Sequence, residues 1–128
     1  MTKPWLKSYD PQVPHSLAPY PNIPLYQFLD EAAGKTPDHP CTIFKGATLT
    51  YKQVNDMTDQ LAAGLVSLGV KKGQPVGILM PNIPQFVVAY YAILKVGGVV
   101  VAMNPTYTPR EMEKPLNDAG IELVLAMS

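Results

Sequence analysis

Asn104, Tyr107, Thr108, Arg110 and Glu111 fall close together, directly behind the apolar run Val99–Met103, in the stretch VVVAMNPTYTPREMEKPLND. Asn104-Pro105 should end that run abruptly. Proline has no N–H to give to a strand ladder, and it biases the residue before it toward extended backbone. Thr108 then has the setting of a helix cap. Its hydroxyl can accept from the Glu111 N–H, and the Glu111 carboxylate can accept from the Thr108 N–H. Pro109 takes the first helical position, where a missing N–H costs nothing. The expectation is a stiff loop with a built-in helix start at the carboxyl end of a strand. That edge is where open α/β sheets bind ligands. Met80-Pro81-Asn82 is expected at the same edge, one strand over. A loop that merely connects and caps is the plainer reading of these residues, and it carries more weight than a binding role.

The remaining reactive groups are dispersed. His15 lies in a proline-rich lead-in and His39 in a turn, without cysteine or carboxylate spacing around them, so no metal site is expected. Cys41 opens an apolar run and reads as a small core residue rather than a nucleophile. Asp30, Glu31, Asp56, Asp59, Glu111 and Glu113 are scattered on helical stretches. Solvated helix surface is the expectation for all of them, with no acid/base pair. Neither Gly-x-Gly-x-x-Gly nor a Walker A pattern occurs, so no phosphate-cradling loop can be named. No catalytic, cofactor-binding or metal-ligating residue is assigned.

The elements that would hold these groups follow from hydrophobic spacing. Leu25, Phe28, Leu29, Ala32 and Ala33 mark one helical face, closed by Gly34 and Pro37. Cys41–Lys45 and Thr48–Thr50 flank Gly46 as a hairpin. Thr50 and Gln53 form a capping box for a helix expected to bury Val54, Met57, Leu61, Leu65 and Leu68, ending at Gly69. Val76–Met80, Val99–Met103 and Leu123–Ala126 are apolar strands. Between the first two lies a helix with Phe86, Val87, Tyr90, Tyr91 and Leu94, for which Asn82 is a candidate cap. Between the last two lies one with Met112, Leu116 and Ala119, which Pro115 should kink. This is βαβαβ: an α/β fold with an open, doubly wound, mainly parallel sheet. The run FVVAYYAIL is apolar nearly all round, which predicts burial on more than one side and a partner beyond a single helix layer.

Composition narrows the class. The 128 residues are 47% apolar with zero formal net charge, which favours one globular domain and gives no field to draw nucleic acid. No apolar run nears the roughly 20 residues that span a bilayer. A single cysteine fits a reducing, cytoplasmic setting. Residues 1–23, rich in proline, read as an extended arm before an α/β unit over 24–128. Trp5, Tyr9 and Tyr20 either anchor that arm on a neighbouring subunit, making a homodimer, or pack it on its own domain. Contact with the inner face of a membrane has no basic amphipathic helix to support it.

The blocks PLYQFLDEAA, LTYKQVN…LAAGLVSLGVKKG, ILMPNIPQFVVAYYAILKVGGV and NPTYTPREME together resemble the opening portion of an adenylate-forming ligase, most of all the long-chain fatty-acid–CoA ligases. The resemblance covers roughly Pro24 to Ala126. It implies a two-step reaction. A fatty-acid carboxylate attacks the α-phosphate of ATP with Mg²⁺, giving an acyl-adenylate and pyrophosphate. The thiol of coenzyme A then displaces AMP. It further implies that the phosphate loop and the mobile C-terminal domain lie downstream, so that this chain is the N-terminal piece of a longer enzyme, inactive alone, whose main partner is the rest of the same polypeptide. Asn104, Pro105, Tyr107, Thr108, Arg110 and Glu111 match the family's stretch only as a scaffold motif, and Pro115 departs from it. Two alternatives remain open: a relative acting on aryl or amino acids, and a stand-alone non-catalytic module.

Overall fold

Apolar residues spaced for helical faces give way to continuous apolar runs after Gly73, and the secondary structure follows that change. The computed structural model describes residues 3–127. A short 3-10 turn at Pro4–Ser8 precedes α1 (Leu25–Lys35), β1 (Pro40–Phe44), β2 (Ala47–Thr50), α2 (Tyr51–Ser67), β3 (Pro75–Leu79), α3 (Pro84–Lys95), β4 (Val99–Met103), α4 (Pro109–Ala119) and β5 (Leu123–Ala126). Residues 3–24 are exposed almost throughout, only Leu6 and Ile23 being partly covered.

β1 and β2 form an antiparallel hairpin closing on Phe44 and Ala47. Its two turn residues, Lys45 and Gly46, have φ of +48° and +82°. That is the left-handed pair whose twist matches the flanking strands, and glycine takes the second position without strain. α2 starts immediately. Thr50 accepts from the Gln53 N–H while Gln53 accepts from the Thr50 N–H, as the capping-box spacing predicts.

The other three strands form a parallel sheet in the order β4-β3-β5. The chain steps outward from β3 to β4, then returns across β3 to β5. With right-handed crossovers, α3 and α4 therefore fall on opposite faces, the doubly wound arrangement. The α3 face is densely packed. Val76 and Ile78 of β3 meet Leu65 of α2 and Ala89, Ala92 and Ile93 of α3, with Val100, Leu123 and Leu125 around them. A second cluster, Leu29, Val54 and Val88, gathers Cys41, Leu49 and Tyr91 and ties α1 and the hairpin to this layer. The α4 face is thin: α4 has no fully buried residue. Met112, Pro115, Leu116 and Ala119, at helical spacing, are only partly covered. The helix continues on both sides of Pro115.

Several expectations shift. α3 is covered on nearly every side, with only Gln85 exposed beyond the first turn's start. Cover comes from α1, α2, β1, β3 and β4 of the same chain, and Phe86, Val87, Tyr90, Tyr91 and Leu94 remain partly exposed. Asn82 does not cap it. Pro84 sits in the first turn and Ile83, at φ −127° and ψ 162°, is the cap residue without a side-chain bond. Proline pushes the residue before it to extended backbone, which moves the boundary one position on. In α2, Met57 and Leu68 are 38% and 71% exposed. The buried stripe is Val54, Thr58 and Leu65 instead, with the Thr58 hydroxyl donating to the Val54 carbonyl at 2.7 Å. β3 begins and ends one residue earlier than Val76–Met80.

Gly98 sits where α3 turns into β4. A Cβ there would lie 2.9 Å from Ile93 Cγ2 and 3.2 Å from the carbonyls of Gln74 and Ile93. Gly98→Ala is expected to cost about 2 kcal/mol by urea unfolding, from overpacking against backbone. Gly34→Ala, at a helical glycine with open space around it, should raise stability by about 0.5 kcal/mol.

A candidate site at the carboxyl edge of the sheet

Leu79 pairs with Met103 on one side and Ala126 on the other, so the three parallel strands end level. The chain leaves β3 and β4 toward opposite faces. Pro81–Asn82 and Asn104–Thr106 therefore stand side by side at the carboxyl edge, the edge at which open α/β sheets take ligands.

The turn after β4 is built by its own side chains. The Tyr107 N–H donates to the Asn104 carbonyl at 3.0 Å. Asn104 Oδ1 accepts from the Thr106 N–H at 3.0 Å and from the Thr106 hydroxyl at 2.9 Å. Pro105 supplies the fixed φ inside the turn. Glu111 Oε2 accepts from the Thr108 N–H at 2.7 Å and from its hydroxyl at 2.8 Å, and the Glu111 N–H donates back to Thr108 Oγ1 at 3.4 Å. The backbone and hydroxyl bonds from Thr108 hold the Glu111 carboxyl below its ordinary pKa. Asn104, Thr106, Thr108 and Glu111 thus satisfy one another. Glu111 is committed as an acceptor and is not placed as a general base.

Tyr107 and Arg110 remain. Among the described residues the Arg110 side chain takes part in no hydrogen bond or ion pair. With Ala102, Met103, Lys114 and Pro115 they line an open cleft of about 650 Å³ between β4 and α4. Lys114 there is paired with Asp118. A phenol and a guanidinium over an apolar floor can bind and orient; they supply no nucleophile–base pair.

The other candidates are brought to separate places. His15 meets Tyr9 edge-on in the lead-in, and His39 stacks on Tyr51. Cys41 lies against the second core cluster, where burial pushes its thiol pKa up and lowers its reactivity. Tyr91 is pushed up too, first by burial and then by Cys41, Tyr90 and Tyr51.

One polar cluster departs from expectation. Asp30 and Asp59, read as solvated surface, both bind Lys95. Its Nζ donates to Asp30 Oδ1 and Asp59 Oδ1 at 2.6 Å each, and to Asn55 Oδ1 at 2.9 Å. The lysine side chain is only 12% exposed. Burial alone would lower its pKa, but the bonds to Asp30 and Asp59 and their charges outweigh it, and the net shift is upward. A signal existed. Each acceptor directly follows a buried residue, Leu29, Val54 or Thr58, and Lys95 is the one charge on an otherwise apolar helix. The ammonium fastens α1, α2 and α3 at one point.

A family model described as "AMP-binding enzyme" matches residues 29–128. The chain belongs to that family. It is 39% identical over 125 residues to a long-chain-fatty-acid–CoA ligase of Bacillus subtilis, covering 98% of this chain and 22% of the relative. It is 37% identical over 129 residues to the ligase of that name from Salmonella typhimurium, covering all of this chain and 23% of the relative. The solved N-terminal subdomain of Klebsiella oxytoca NpsA, in complex with 3-hydroxyanthranilyl-AMSN, superposes with a TM-score of 0.77 at 26% identity, over 80% of this chain and 26% of that one. The chain thus spans under a quarter of the length of these ligases, and its sheet is that of an adenylate-forming N-terminal subdomain.

Three outcomes follow from the polar geometry. Thr108→Ala should destabilise the start of α4 by about 1 kcal/mol, seen as faster amide exchange in its first turn. Because the Glu111 pKa is lowered on folding, its contribution is present above the ordinary carboxylate value and lost as pH falls through the depressed one. Protection of the amides in that turn, relative to their intrinsic exchange rates, should therefore fall in acid, and Glu111→Gln should remove the acid-dependent step. For Lys95→Ala, the exposed carboxylates soften the loss to about 1–2 kcal/mol by denaturant unfolding. Its pKa is raised on folding, so this contribution is fully present below the ordinary value of 10.5 and lost only as pH climbs through the raised one.

Proposed function

We propose that this chain is the N-terminal portion of an ATP-dependent long-chain fatty-acid–CoA ligase. The observation that carries the reading is identity of 36–39% along essentially the whole chain to several bacterial proteins of that name. In the parent reaction the fatty-acid carboxylate oxygen attacks the α-phosphorus of ATP and pyrophosphate leaves. The sulfur of coenzyme A then attacks the acyl carbonyl of the adenylate, AMP leaves, and the thiol proton is released.

The role of this portion is scaffolding. Asn104, Pro105, Thr108 and Glu111 hold a rigid turn at the carboxyl edge, and Tyr107 and Arg110 face its cleft. Residues 1–23 act as an arm and 24–128 as the first α/β layer of the AMP-binding domain. The described residues do not fit Mg²⁺ and ATP. No three His, Cys, Asp or Glu side chains among them converge as metal ligands, and the carboxylate at the edge is used by the cap. No catalytic step is assigned to this chain's own side chains. The setting is cytoplasmic; no helix among the described residues is long and apolar enough to cross a membrane.

A second reading, an aryl- or amino-acid-activating relative, is favoured by one observation: the NpsA subdomain with its aryl ligand shares the fold at 26% identity. Pyrophosphate release separates the two. The 128-residue chain should release none with ATP and any acid, whereas the polypeptide extended to the relatives' length should do so with long-chain fatty acids. Preference of the extended protein for aryl or amino acids would overturn the fatty-acid assignment. Adenylate formation by the short chain alone would overturn the scaffold role.

A further inference from the structure

We infer that the start of α4 is a jaw: Asn104–Lys114 rocks as one body on two pivots, the end of β4 and Pro115, and so opens or closes the cleft between β4 and α4. Pro115 lies inside α4. It has no N–H to give, so the Glu111 carbonyl loses the donor that an unbroken helix supplies four residues on, and the ring crowds that same carbonyl. The ladder is therefore weakest between Glu111 and Pro115, and helices bend at such points. One side-chain link crosses it among the described residues, the Lys114–Asp118 pair, which is exposed and of the kind that contributes little.

The helix is held differently on the two sides of that point. Downstream, Gly120 closes it in the left-handed conformation at φ +62°. The Gly120 N–H donates to the Asn117 carbonyl at 3.1 Å, and the Ile121 N–H to the Leu116 carbonyl at 2.9 Å. Ile121 itself lies over β3: a Cβ added at Gly77 would be 3.5 Å from its Cγ2. The downstream half is thus tied to the sheet. Upstream, no residue from Asn104 to Lys114 is buried, and only Met112 is partly covered. Little packing free energy opposes a movement of this segment.

The segment is nevertheless stiff within itself. Asn104 and Thr106 close on one another, and so do Thr108 and Glu111. A stiff body with little burial, pinned at both ends, has one easy motion, rotation about the line through its pins. One pin is Met103, buried at the end of β4. The other, Pro115, stands in the wall of the cleft. Rotation therefore carries Tyr107 and Arg110 toward or away from the floor that Ala102 and Met103 make. The Arg110 guanidinium has no partner among the described residues, so no bond has to break when that wall moves.

Distances between paired spin labels, in the polypeptide extended to the relatives' length, read this motion whatever acid that polypeptide activates. Pro109→Cys puts a label in the jaw and Asn117→Cys one beyond the pivot. Each is paired with Lys35→Cys at the end of α1, in a background with Cys41 and any other native cysteine replaced. All three positions are exposed, and none lines the cleft. The distance distribution for positions 109 and 35 should be about twice as wide as that for 117 and 35. Pro115→Ala, which restores the missing N–H, should narrow the first to the width of the second. Alanine is the best helix former, so this variant keeps the fold. Equal widths with Pro115 in place, or a wide distribution at 109 that Pro115→Ala leaves unchanged, overturns the inference. So do two wide distributions, because the whole helix is then loose and Pro115 is not its pivot.

Discussion

A parallel sheet tolerates water on neither face, because its strands are apolar on both sides. Every other element here is placed by that requirement. β3, at the centre, has Val76 and Ile78 fully buried under α2 and α3. On its other face Gly77 leaves room for Met103 and Val124 to close over the strand; an added Cβ would lie 2.9 and 3.1 Å from them. The two faces are served unequally. α1, α2 and α3 form a continuous layer on one, while α4 alone, without a fully buried residue, lies over the other. The amphipathic helices are therefore the means by which the sheet's carboxyl edge is held level, and the rigid turn at Asn104–Glu111 is mounted on that edge.

Much of this was legible in the residues. Capping boxes at Thr50/Gln53 and Thr108/Glu111 depend on local spacing, and local spacing survives folding unchanged. The βαβαβ order followed from continuous apolar runs alternating with helical periods. What sequence could not show were relations between elements. Met57 and Thr58 are neighbours, and a helical stripe drawn through either fits the pattern. Only the position of α3 decides that Thr58 turns inward with its hydroxyl satisfied by Val54. The burial of α3 on more than one side was read correctly, but the share supplied by α1 and the hairpin was not, because those contacts are long-range. Asn82 failed as a cap because the proline two residues later already fixed the helix start.

The candidate site divides in the same way. The capping bonds between Thr108 and Glu111 were read from type and spacing, whereas the bonds that Asn104 accepts from Thr106 were not. The Lys95 cluster was missed because its three partners come from two other helices and each alone looks like surface. The chain spans under a quarter of the length of the ligases it matches, which agrees with how few groups here point to bond-making and with the supporting role proposed above.

The Lys95 cluster also bears on the order of assembly. Its acceptors lie at very different distances along the chain: Asp59 is 36 residues away, Asn55 is 40 and Asp30 is 65. Closing a longer loop costs more chain entropy, and contacts of large sequence separation form slowly. The ammonium is thus set to meet α2 before α1. The first helix is thus held in register both by Asp30 on the shared ammonium and by Leu29 in the second core cluster.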